Sequence, residues 1–162
     1  MRKKRLSPGL KAKALMVYQF KYLSLEFNRL PNFKAVGGNR RGHWRAEYTA
    51  RKQERNAWIE EMLSMGYRSS DTAMMESPID ARVQLVFPTS RPGPRPDKDN
   101  AISALKDLFD CLEPWRTTNR NRSTRGFAGL FVDDKDIVAL HLEYLTGSAP
   151  KTLVHLQTLS EG

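Results

Sequence analysis

The chain has 162 residues, with 27 Lys and Arg against 18 Asp and Glu and a formal charge of +9. That length suits one globular domain, and 40% hydrophobic residues suffice for a core, which excludes wholesale disorder. No run approaches the ~18 apolar residues of a membrane span, no apolar segment follows the basic start as a secretory signal would, and the single Cys111 excludes an internal disulfide or a cysteine-rich zinc site, so a soluble cytoplasmic protein is expected.

Residues 1–20 read as a basic N-terminal arm and 21–162 as a single domain. From Tyr22, the run Tyr-Leu-Ser-Leu-Glu-Phe alternates as a strand and ends at Asn28–Asn32, with Pro31. Gly37, Gly38 and Gly42 then loosen a basic loop that carries Asn39, Arg40, Arg41, His43, Trp44 and Arg45. Residues 46–65 read as a helix whose apolar face is Tyr48, Ala50, Ala57, Trp58, Met62 and Met65, stopped by Gly66. After a polar connector, residues 81–87 alternate cleanly, with Val83, Leu85 and Phe87 on one face of a strand.

The turn Arg91-Pro92-Gly93-Pro94-Arg95-Pro96 follows, and a helix begins behind it. Ile102, Leu105, Phe109 and Leu112 form its buried stripe, capped by Asp99 or Asn100. Residues 113–128 read as an Arg-rich loop insertion. Leu130–Val132 reads as a short strand running into Asp133 and Asp134, and residues 137–144 and 152–159 as a terminal hairpin. The expected fold class is α+β, a single mixed sheet flanked by two main helices in the order β-α-β-α-β-β.

Charge is unevenly spread. Residues 1–55 hold 15 Lys and Arg and 3 acids, a net +12, while the rest of the chain nets −3. Such a basic third points to a polyanion, because each cation placed on a phosphate releases counterions. Arg40, Arg41, Arg45, Arg95, Arg120, Arg122 and Arg125 are the candidate backbone contacts. Trp44 reads either as a base-stacking residue or as an anchor at the sheet edge.

Clustered acids in a basic protein need a reason. Asp97 and Asp99 stand two apart at the exit of the proline turn, and Asp133 and Asp134 are adjacent after a short apolar run. Taken singly, each pair reads better as a helix cap or a hydrophilic turn. Together they offer the hard oxygen ligands that Mg²⁺ or Mn²⁺ takes, and a divalent ion relieves the repulsion between carboxylates and DNA. Each pair follows a predicted strand, so both are expected at one edge of the sheet. A bound ion there can activate water against a phosphodiester.

The run Arg95-Pro96-Asp97-Lys98-Asp99-Asn100, a helix containing Asp107, and Phe131-Val132-Asp133-Asp134-Lys135-Asp136-Ile137 together resemble the RusA family of crossover (Holliday) junction endodeoxyribonucleases. The resemblance is tight over residues 95–138 and looser over 22–145. It implies a RusA-like homodimer that cuts four-way DNA junctions with Mg²⁺, or Mn²⁺ in its place. It further implies Asp97, Asp99 and Asp134 as the essential metal-binding aspartates, with Asp133 as a neighbouring acid. The family's functional lysine, four residues after the second Asp, is Ser103 in this chain; Lys106 lies on the same helical stripe and is the candidate replacement. Ser103 also keeps open a binder of branched or single-stranded nucleic acid that does not cut. The implied location is the cytoplasm, in association with the nucleoid, for a protein encoded by a bacterium or by a phage or prophage.

Overall fold

The computed structural model describes residues 20–33, 44–91, 93–117 and 124–159, and for residues 44–47, 116, 117, 124, 125 and 134 the backbone alone. The fold is α+β, with a mixed four-stranded sheet and two helices. In chain order the elements are β1 (Tyr22–Phe27), α1 (Trp44–Ser64), β2 (Ile79–Pro88), α2 (Lys98–Leu112), β3 (Pro114–Thr117), β4 (Thr124–Ala128), a 3₁₀ turn at Asp134–Asp136, β5 (Ile137–Gly147) and β6 (Lys151–Thr158).

Strand β2 organises the sheet. Its alternation buries Ile79, Ala81, Val83, Leu85 and Phe87, so the expected face is present and longer than the sequence indicates. Side chains from β1 (Leu25, Phe27) and β6 (Val154, Leu156) join this face, and α1 and α2 pack onto it in one core cluster. On α1 the residues Glu54, Trp58 and Met62 recur every four positions and are buried. Tyr48, expected on that face, is 63% exposed: six residues before Glu54, it points about 120° away around the helix. On α2, Leu105, Phe109 and Leu112 are buried as expected, but Ile102 is 43% exposed and Ala101, Ala104 and Leu108 complete the apolar stripe instead.

The strand order is β1-β6-β2-β5. The expected terminal hairpin is therefore absent: β5 and β6 follow each other in the chain but flank β2, parallel to β5 and antiparallel to β6. Residues 148–150 cross the end of β2 at Pro88, where the amide of Thr89 donates to Gly147 O at 3.0 Å. A middle position gives β2, the strand with the most buried side chains, a hydrogen-bonded neighbour on both edges. Two further expectations are corrected. The insertion at 113–128 contains the antiparallel ribbon β3–β4 rather than a loop alone. Leu130–Val132 forms no strand, because its apolar residues mark burial and not pairing: Leu130 and Phe131 are wholly buried, and the Leu130 amide donates to Leu112 O at 2.6 Å.

Where the chain leaves β1, a buried carboxylate ties it to α1. Glu54, 3% exposed, accepts from the Arg29 guanidinium and from the Asn32 amide. Arg29 also lies over the Trp58 ring at 4.6 Å, and its carbonyl accepts from Thr152 Oγ1 at 2.7 Å. One carboxylate thus joins the β1 exit, α1 and, through Arg29, β6. Glu54→Ala is expected to lower the unfolding free energy by about 3 kcal/mol, measured by denaturant titration, because it strands a partly buried cation and an amide.

Candidate functional site

The proline turn places Asp97 at the N-cap of α2. Its Oδ1 accepts from the Asn100 amide at 2.8 Å and its Oδ2 from Asn100 Nδ2 at 3.3 Å, so Asp97, and not the expected Asp99 or Asn100, is the cap. Asp99 lies in the first turn, exposed, where the helix dipole favours an anion. Two neighbours fix the turn. Tyr144 donates to Pro96 O at 2.7 Å, and the Arg95 guanidinium donates to Thr146 Oγ1. Burial raises the Tyr144 phenol above its usual range, and the charge of Asp97 raises it further, so Tyr144 remains a neutral donor.

Asp133 stands at the start of the 3₁₀ turn. Its Oδ1 accepts from the Lys135 amide at 3.1 Å, and its own amide donates to Asp136 Oδ2 at 3.1 Å. These bonds make a compact Asx turn at the entry to β5.

The two acidic pairs do not meet within one chain. Strands β2 and β5 are parallel, with Ile79 opposite Ile137 and Leu85 opposite Tyr144. Asp97 therefore sits at the C-terminal end of these strands and Asp133 at the N-terminal end. Helix α2, 15 residues long, runs between the two ends and separates them by about 20 Å. The expectation that both pairs share one sheet edge is overturned, because Asp133 and Asp134 precede a strand instead of following one. Ions of the Mg²⁺ class need ligands at about 2.0–2.1 Å. Among the described residues no group of three or more His, Cys, Asp and Glu side chains is arranged to hold a metal. Within one chain, Asp97 and Asp99 are thus too far from Asp133 to share one ion.

Lys106 lies on the exposed face of α2 with Asp99 and Ser103, about 10 Å along the axis from Asp99. Arg95 is exposed beside the Asp97 turn. Arg40, Arg41, His43, Arg120 and Arg122 lie outside the described residues, as does most of the N-terminal arm; Trp44, Arg45, Arg125 and Asp134 are described by backbone only. Among the described residues no helix is long and apolar enough to cross a membrane. Sequence reasoning missed Tyr144 as the clamp on the Asp97 turn, since alternation in β5 marks its face but not what its hydroxyl reaches.

Asp107, within the resembling motif, is 2% exposed on α2, and its Oδ2 has no hydrogen-bond partner among the described residues. Burial raises its pKa; the cations Arg51 and Arg55 oppose the shift, and Asp110 and Glu54 add to it. No protein-family profile matches the chain, and a comparison with curated proteins finds no match.

Two outcomes are expected from these carboxylates. Asp97→Ala costs about 1 kcal/mol in chemical denaturation and Asp97→Asn only a few tenths, because Asn caps nearly as well. A raised folded-state pKa at Asp107 contributes stability that is full below the unfolded value of 3.8 and is lost as pH rises through the folded value. Thermal unfolding across that window is expected to show wild type falling progressively below Asp107→Asn as pH increases.

Proposed function

We propose that the chain is a Mg²⁺-dependent endodeoxyribonuclease that resolves four-way DNA junctions, with a RusA-like fold and acting as a homodimer. The observation that carries this reading is the exposed Asp97–Asp99 pair, held by a cap and a tyrosine clamp beside Arg95 in a chain of charge +9. Solvent-facing carboxylates next to a guanidinium suit a phosphodiester and a divalent ion better than a purely structural turn does. The remaining acids, Asp133 and Asp134, lie at the far end of α2, so a joint ligand set needs a second copy of the chain. Two-fold pairing also matches a substrate that takes two symmetric cuts.

The competing reading is a protein that binds branched or single-stranded nucleic acid without cutting it. It is favoured by Ser103 at the lysine position and by the separation of the acidic pairs. A labelled four-way junction incubated with Mg²⁺ distinguishes the two. Paired symmetric nicks are expected, lost in EDTA and in Asp99→Asn while junction binding persists. Tight binding with no nicks in Mg²⁺ or Mn²⁺ rejects the nuclease.

A further inference from the structure

The turn before Asp97 concentrates positive charge on an aromatic support. The Arg91 guanidinium carbon stands 4.7 Å from the Phe87 ring centroid and 5.6 Å from that of Phe33, and the Arg95 carbon stands 5.0 Å from the same Phe87 ring. Sharing one ring holds the two like charges within about 10 Å, the sum of their distances to its centroid, and like charges repel. The hydroxyl of Thr146, a neutral group, takes an Arg95 N–H.

The support is rigid. Phe87 is 1% exposed and meets the Tyr144 ring edge-on at 5.1 Å, while Tyr144 holds Pro96 O. The Arg91 amide donates to Pro88 O at 3.0 Å, which anchors the other end of the turn to β2. Two planar cations are thus pre-oriented on one ring two to eight residues before the exposed acids. Guanidinium forks match phosphate oxygens, and fixing them on rings lowers the entropy lost on binding.

We propose that Arg91 and Arg95, supported on Phe87, form a phosphate seat that grips the nucleic-acid backbone beside Asp97 and Asp99. The seat deepens the reading of the chain as DNA-acting and rests on it for the identity of its occupant. Arg95 was legible as a basic residue of the turn; Arg91 acquires its role only from the stacking.

The test is fluorescence anisotropy of a labelled four-way junction and of a matched linear duplex, in EDTA, across a salt series. Arg91→Met keeps the stem over the rings and removes the charge; Arg91→Lys keeps the charge. Arg91→Met is expected to weaken binding to both DNAs about 5- to 20-fold and to reduce the slope of log affinity against log salt by about 1. Arg91→Lys is expected to retain the slope. Unchanged slope and affinity in Arg91→Met, or a slope in Arg91→Lys as low as in Arg91→Met, overturns the seat. Arg95→Met, at an exposed position, is expected to lose slope in the same way, and an unchanged slope there overturns the seat even if the Arg91 variants fail to fold. EDTA separates the two proposals. The expected slope losses in a protein that never cuts in Mg²⁺ reject the nuclease and leave the seat, whereas cutting with unaltered slopes does the reverse.

Discussion

Strand β2 is hydrogen-bonded on both edges, to antiparallel β6 and to parallel β5, and the placement of both acidic pairs follows from that constraint. Because β5 runs alongside β2 in the same direction, the chain that leaves the top of β2 has to return to the bottom before β5 can begin. Helix α2 makes that return. Its N-terminus carries Asp97 and Asp99 at one end of the sheet, and the segment after it delivers Asp133 at the other. The helix length sets their separation, and no side-chain rotation closes a gap of about 20 Å.

The same strand divides the sheet into two unlike faces. Its odd-numbered residues from Ile79 to Phe87 meet both helices in the core. Asp80, Arg82 and Gln84 enter a polar network on the other face. There His141 Nε2 lies 2.9 Å from Asp80 Oδ1, Gln84 Nε2 donates to Glu143 Oε2 at 3.0 Å, and His155 Nδ1 lies 2.8 Å from Ser24 Oγ. A half-solvated sheet tolerates such a face because side chains and water satisfy its polar groups. Opposite charges alternate among its described residues, as with Lys151 Nζ 2.6 Å from Glu26 Oε1.

At the Asp97 end, structural and chemical roles share the same atoms. Asp97 gives its carboxylate to the Asn100 amide and side chain, and that use alone accounts for an acid at this position. Asp99 has no comparable structural use: it is exposed, in the first turn, beside a clamped loop that carries two guanidiniums. The dipole explains why an acid is tolerated there, but not why cations are held nearby on aromatic rings. The phosphate seat proposed above would account for the cations.

The period-two alternation of β1, β2 and β6, the apolar stripe of α2 and the uneven charge of the chain were all legible from residue order. Each of these properties depends on which side of a local element a residue occupies. Leu85 and Phe87 announce a buried face whatever strand lies beside them, and the proline turn at residues 91–96 announces that a helix starts behind it, although not that Asp97 caps it. Tertiary structure alone decided strand order, the parallel direction of β5, the ribbon at β3–β4 and the separation of the acidic pairs. Local periodicity carries no record of a strand's partner or direction, because one apolar face pairs equally well with a parallel or an antiparallel neighbour. For the same reason Leu130 and Phe131 looked like a strand: burial and pairing leave the same apolar signature over three residues, and only the backbone hydrogen bonds to Leu112 and Met75 distinguish them.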